Sequence, residues 1–157
     1  MTSETFILGL AGFLHNLFTV IWIGGLIMIL ITVLPVAKNT LEDNKLTQKL
    51  MHGILKRQRV WVYISFVGLF LTGLIQARMT QNFSGLMRFD TAYSSLVSIK
   101  HVLTLAMIGI AVFRSVVFGK KGETATPQQN KLSLKLVFLN AFLGVVILLL
   151  SGFLAAL

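Results

Sequence analysis

The three histidines of this chain, His15, His52 and His101, are its best candidates for binding a metal. A neutral imidazole nitrogen is a common ligand of iron, copper and zinc. His15 lies inside an apolar segment, Phe6 to Pro35, that contains no Asp, Glu, Lys or Arg. Ionisable groups at membrane depth are costly and usually face the interior of a helix bundle. His15 is therefore the first candidate for a functional residue.

The composition is that of an integral membrane protein. Of 157 residues, 55% are hydrophobic and only 12% are charged, a balance too apolar for a soluble domain. Four apolar runs can each supply the ~20 residues that a helix needs to cross the hydrocarbon. Continuous runs favour helices, because the strands of a membrane barrel alternate in polarity. The sequence predicts an all-α fold, a transmembrane four-helix bundle forming one domain over residues 1–157, with spans at about 6–35, 58–78, 94–118 and 132–156.

Basic residues are concentrated in the first and third connections between these spans, whereas the N-terminus carries only Glu4. Basic connections of membrane proteins remain in the cytoplasm. We therefore predict an N-out, C-out protein of a prokaryotic-type inner membrane, surrounded by the lipid bilayer. No basic segment precedes the first span, so we expect that span to remain as a helix rather than to be cleaved as a signal. The net charge of +9 then reflects topology and does not indicate nucleic-acid binding.

A basic amphipathic segment, residues 39–59, precedes the second span. Asn39 or Thr40 is suited to cap a helix start, because acidic residues follow in the first turn. Apolar residues then recur at helical spacing among lysines. We predict a cytoplasmic amphipathic extension that either runs straight into the second span or lies on anionic headgroups.

His15 and His101 are predicted to reach a similar depth from the outer side. Each lies about nine residues into its span, or roughly 14 Å at 1.5 Å per residue. Imidazoles on facing helices of a bundle can hold a haem iron between them. Lys100, Arg78 and Arg88 lie toward the same side, where their charges could pair with haem propionates.

Trp22 follows His15 by seven positions, about two helical turns along the same face, and would form a wall of that pocket. Gly24 and Gly25 would let a helix or a porphyrin approach closely. The leading hypothesis is a haem b protein, with His15 and His101 as ligands, that transfers electrons to a membrane or periplasmic redox partner or within a larger complex. His52 is a weaker candidate ligand, because it precedes the second span and is expected at the surface.

Copper transport or resistance is the alternative function. Imidazole and thioether ligands suit copper, and six methionines are present. They form no closely spaced run, so most are interpreted as apolar filler. Met79 and Met87, in the connection between the second and third spans, are the exceptions and would make first contact with the ion. A further alternative is a non-catalytic accessory subunit of a membrane complex, which the small size permits.

Three short motifs carry a family resemblance over the first three spans, about 100 residues: His15-(x6)-Trp22-Ile-Gly-Gly25 ending in Leu34-Pro35, Leu55-Lys-Arg-Gln-Arg-Val continuing to Leu71-Thr-Gly-Leu74, and Ser98-Ile-Lys100-His-Val-Leu. They resemble the copper-resistance D (CopD) family and the related HemJ-type protoporphyrinogen oxidases. The resemblance implies a four-helix membrane protein. It gives His15 and Lys100 the positions that are associated, in the oxidase branch, with haem b and porphyrinogen oxidation.

The sequence departs from the oxidase branch at two places. After Pro35 that branch has an arginine and then Tyr-His, whereas this chain has Val36-Ala37-Lys38. The tryptophan expected shortly before Lys100 is also missing. These departures argue against porphyrinogen oxidase activity, so any enzymatic role is expected to be that of an oxidoreductase component.

Overall fold

A computed structural model describes residues 2–79, 89–119 and 126–156. Within these ranges the fold is all-α, as the apolar runs predict, and four helices are long and apolar enough to cross a membrane. Each of the four predicted spans lies on one of them. The helices are α1 (Ser3–Thr40), α2 (Asn44–Met79), α3 (Ala92–Val117) and α4 (Pro127–Ala156).

Helix α1 contains two π-helical turns, Val20–Gly24 and Ile29–Val33. It continues through Pro35 to Thr40, so the helix extends beyond the proline at which the first span is predicted to end. Pro35 has no N–H to give to the helix, and it falls directly after the second π-helical turn, where the regular hydrogen-bond ladder is already interrupted. The proline is therefore accommodated without ending the helix.

The start of α2 also differs from the predicted cap. Thr40 is the last residue of α1, and neither it nor Asn39 begins the next helix. Asp43 takes this role, because its Oδ1 accepts the backbone N–H of Lys45 at 2.7 Å. A short acidic side chain before the first turn satisfies a backbone donor that has no partner within the helix.

The amphipathic extension and the second span form one continuous helix, α2. Met51, within the extension, is buried in a small apolar cluster with Leu34 and Ala37 of α1. The extension therefore packs back on the end of α1 and does not lie separately on the membrane surface.

The helices pack as two antiparallel pairs, α1 with α2 and α3 with α4. The middle of α1 joins the pairs, because Ile23 packs directly on Gly144 of α4. A single large core fills the centre of the bundle, formed by Trp22, Ile23, Leu26, Val62, Met107, Val137, Ala141 and Ile147.

We refer to the end of the bundle that holds the α1–α2 and α3–α4 connections as the basic end. The opposite end, where α1 begins and α4 finishes, is the terminal end. The distribution of basic residues predicts that the basic end faces the cytoplasm. The chemistry-bearing residues divide between these two ends.

Candidate functional site

His15 is joined to helix α2 by a hydrogen bond toward the terminal end. Its Nδ1 lies 2.9 Å from Oγ1 of Thr72. The imidazole is half-buried and Thr72 is buried. The ring is therefore held between α1 and α2, in the bundle interior, as expected for an ionisable group at membrane depth.

The hydrogen bonds of Thr72 favour one tautomer of His15. The Thr72 hydroxyl lies 2.7 Å from the carbonyl of Gly68, which can accept its single proton. With that proton given to Gly68, the Thr72 oxygen accepts from Nδ1–H of His15. Nε2 of His15 then keeps a lone pair, as in the form of histidine that binds metals.

Close packing of α1 on α2 supports this pair. The Phe18 ring lies directly against Gly68, where a Cβ atom would collide with it. One turn beyond Thr72 toward the terminal end, Nε2 of Gln76 donates to the carbonyl of Ala11 at 3.2 Å. Small residues and side-chain amides of this kind join helices in membranes. The α1–α2 seam thus fixes both partners of the His15–Thr72 bond.

Helix α3 brings Lys100 and His101 close enough to the His15 imidazole for positive charge on either side chain to act on it. Lys100 is half-buried, whereas the His101 side chain is exposed. Nδ1 of His101 donates to the carbonyl of Val97 on its own helix at 2.7 Å. A ligand pair formed by His15 and His101 stays a prediction.

The remaining candidates from the sequence lie in several places. Met79 is the last residue of α2, half-buried, and belongs to the helix rather than to the connection that follows it. Arg78 is exposed beside it. Met87 and Arg88 lie outside the described residues. In the part of the chain that is described, no group of three or more His, Cys, Asp or Glu could hold a metal ion.

Trp22 borders a cavity that His15 does not line, and its place in a pocket around His15 stays a prediction. It lies within the first π-helical turn and packs edge-to-face on Phe66 of α2, with ring centroids 4.5 Å apart. It borders a cavity of about 370 Å³ at the basic end, and His15 is not among the described residues that line this cavity. The π-helical turn explains the difference, because it changes the register of α1 between the two residues.

His52 also departs from its predicted place at the surface. It is half-buried and lines the same cavity, with its Nε2 atom buried and without a hydrogen-bond partner among the described residues. The extension packs against the bundle, and this turns one side of α2 inward. His52 therefore belongs to the interior of the basic end.

Sequence reasoning missed Thr72, Arg59, Arg114 and Asn140. Arg59 and Arg114 line the cavity together with Asn140, which is buried in the middle of α4. Asn140 carried a visible signal, since it is a carboxamide within the last apolar run. Thr72 carried none, because threonine is common in membrane helices and only the packing identifies its partner.

Neither a curated protein nor a solved structure matches the chain. Residues 52–154 match the family described as copper resistance protein D. The match supports the copper alternative, whereas nothing supports haem b as the favoured cofactor, and the HemJ-type likeness stays a resemblance. Because the matched residues make up more than half of the chain, the protein belongs to the copper resistance protein D family.

Proposed function

We propose that this protein accepts copper ions at the outer face of the membrane and that Nε2 of His15 binds them. The observation that carries the proposal is the 2.9 Å hydrogen bond between His15 Nδ1 and Thr72 Oγ1. With the Thr72 proton directed to the Gly68 carbonyl, this bond leaves Nε2 unprotonated. Imidazole is a good copper ligand. A second hydrogen bond on the opposite ring nitrogen orients such a ligand and raises its basicity. Membership of the copper resistance family supports the same metal.

Met79 supplies a soft ligand on the path to His15. It follows Thr72 by seven residues, which places it about two turns and roughly 10 Å nearer the terminal end on the same face of α2. Its thioether suits Cu(I), and its side chain is partly accessible. We assign it the first contact with the incoming ion, before His15.

Lys100 tunes the affinity of this site. Its ammonium group acts on the His15 imidazole, and a positive charge nearby opposes the binding of a cation. A transport site must bind its ion strongly enough for entry yet weakly enough for release. Lys100 therefore favours release of copper from His15, which suits a protein that passes copper on.

The test is a Cu(I) titration of the purified full-length protein against a competing chelator. We expect His15→Ala to lose the bound copper and to abolish copper accumulation in cells that express the variant. Asn16→Ala is the matched control, because Asn16 is the next residue of α1 and is exposed. It is expected to keep both properties. Thermal unfolding of each variant separates loss of the ligand from loss of the fold.

Two results would contradict the proposal. Equal copper binding by His15→Ala and the wild type would remove His15 from the site and leave the accessory-subunit alternative. An optical spectrum with a Soret band that disappears in His15→Ala would restore the haem b hypothesis, with His101 as the second ligand to examine.

A further inference from the structure

The cavity at the basic end has the form of a ligand site. Its volume is about 370 Å³, within the range of small-molecule sites, ~300–1,000 Å³. It lies between the α1–α2 and α3–α4 pairs, and its walls are largely apolar. All four helices contribute to it, from Trp22 at its inner end to Pro127 and Lys131 near the start of α4.

The charge in this cavity is uniformly positive. Among the residues that line it in the described ranges, Lys38, Arg59, Arg114 and Lys131 are basic, and no carboxylate is present. The guanidinium groups of Arg59 and Arg114 repel one another. Unpaired charges are costly to hold together in a partly buried site. The arrangement of basic residues therefore favours the binding of an anion.

Several hydrogen-bonding atoms in the same cavity have no partner. Nε1 of Trp22, Nε of Arg114, Nε2 of His52 and Oδ1 of Asn140 are all buried and unpaired. Trp22 and Asn140 are only 2% and 1% exposed. Buried polar atoms in proteins normally have partners, so a cluster of exceptions indicates an unseen ligand, ion or water. Two of the four, on Trp22 and Arg114, are N–H donors, as an anion requires.

The guanidinium of Arg59 reaches across from α2 to Gly119, just after the end of α3. A Cβ atom at position 119 would collide with this guanidinium and with the backbone carbonyl of Ser115. The Arg59 side chain therefore lies beside the last turn of α3, where Arg114 also lies. Arg59 of α2 and Arg114 of α3 therefore line the same cavity from two different helices.

We infer that this cavity binds a phosphate group between Arg59 and Arg114, with the Trp22 N–H and the apolar walls holding the rest of the ligand. Arginine recognises phosphate oxygens through its planar array of donors. Arg59 directly precedes the second apolar span, and so it lies near the depth of lipid headgroups. The phosphate can belong to an anionic phospholipid or to free inorganic phosphate. This site is separate from the copper site at His15.

The experiment uses the full-length protein in nanodiscs and measures the unfolding midpoint. One arm compares phosphatidylcholine with phosphatidylcholine containing phosphatidylglycerol. The other arm adds inorganic phosphate to phosphatidylcholine nanodiscs. We expect stabilisation in one of the two arms, with phosphatidylglycerol retained in native mass spectrometry if the lipid is the ligand. Ligands that bind only the folded state raise the midpoint by mass action.

Arg114→Gln and Arg59→Gln are expected to weaken the binding about tenfold to hundredfold, because each removes charged hydrogen bonds. Lys135→Gln is the control, since Lys135 is exposed on α4 and does not line the cavity. It is expected to respond like the wild type. Without ligand, Arg114→Gln should fold at least as stably as the wild type, because it removes an unpaired buried charge.

Three outcomes would overturn the inference. The first is a wild type that neither arm stabilises. The second is an arginine variant that responds to the ligand as strongly as the wild type. The third is a loss of ligand stabilisation in Lys135→Gln as large as in the arginine variants. That result would indicate general attraction between basic residues and an anionic surface. Cu(I) titration of Arg114→Gln should match that of the wild type, so failure here is distinguishable from failure of the copper proposal.

Discussion

Replacing Thr72 by valine tests how the environment of His15 prepares it for copper. Valine keeps the branched shape of threonine and removes the hydroxyl that accepts the Nδ1–H of His15 at 2.9 Å. The ring then loses the contact that fixes its tautomer and orientation, while Nε2 itself is unchanged. We expect weaker copper binding by a protein that still folds.

The expected size of the effect follows from the two roles of the hydroxyl. Loss of the outer partner of a metal-binding histidine weakens metal binding about 10- to 100-fold, which is about 1.4–2.7 kcal/mol. A hydrogen bond between membrane helices contributes about 0.6 kcal/mol to stability on average. The change in copper affinity should therefore be larger than the change in the free energy of unfolding.

Thr104→Val is the matched control for this substitution. The Thr104 hydroxyl donates to the carbonyl of Lys100 at 2.8 Å, the same bond within a helix that Thr72 makes with Gly68. It makes no hydrogen bond to a histidine among the described residues. Competition titrations with Cu(I) and unfolding midpoints are measured for both variants. Equal copper affinities in the Thr72 and Thr104 variants would refute the assignment of Thr72 as the positioning residue of His15.

Three further substitutions test the packing and charge of the bundle. Gly68→Ala brings a Cβ against the Phe18 ring and should destabilise the fold by about 1–3 kcal/mol. Gly109→Ala is the control, because its Cβ would have no neighbour within 4 Å among the described residues, and equal unfolding midpoints of the two variants would contradict this packing. Gln58→Leu removes the 3.1 Å hydrogen bond to the Ile21 carbonyl and should lower the free energy of unfolding by about 0.6 kcal/mol. Amide hydrogen exchange in the first π-helical turn should become faster, and unchanged exchange would argue against the bond. Lys100→Met should bind copper more tightly than the wild type, since the repelling charge is gone; weaker binding in the same titration would exclude the tuning role.

The number of helices and their approximate positions could be predicted because hydrocarbon demands long apolar runs. Their ends could not, since a helix can extend beyond the hydrocarbon. Helix α2 shows this most clearly, because it begins at Asn44, well before its apolar part at Val60. Pro35 shows the converse, since a residue that usually ends helices lies inside α1. The extension of α2 packs on α1 through Met51, and the π-helical turn before Pro35 accommodates the proline.

The candidate site was predictable only in part. His15 was identifiable because an imidazole in an uncharged apolar run is energetically unfavourable, and ionisable residues kept in such segments are usually functional. Its partner Thr72 depends on the register between two helices, which apolar periodicity does not determine. The place of Trp22 on the basic-end cavity was not predictable, because the spacing of seven residues assumes a regular helix and a π-helical turn breaks that regularity.

One face of α3 connects the two ends of the molecule. Lys100, Met107 and Arg114 are spaced by seven residues, so they lie along the same face of the helix. Lys100 acts on His15, Met107 is fully buried in the central core, and Arg114 lines the cavity at the basic end. The proposed copper site and the proposed phosphate site are thereby separated by the buried core around Met107.

This arrangement sets an electrostatic condition on copper movement toward the basic end. Copper released from the proposed site at His15 toward the basic end would meet the positive field of Arg59 and Arg114, and arginine in a pore excludes cations. A phosphate bound at the proposed site between the two arginines would neutralise much of that field at short range, where charges interact strongly in a partly buried site. We therefore expect the basic cavity to oppose copper passage when it is empty and to oppose it less when it holds an anion.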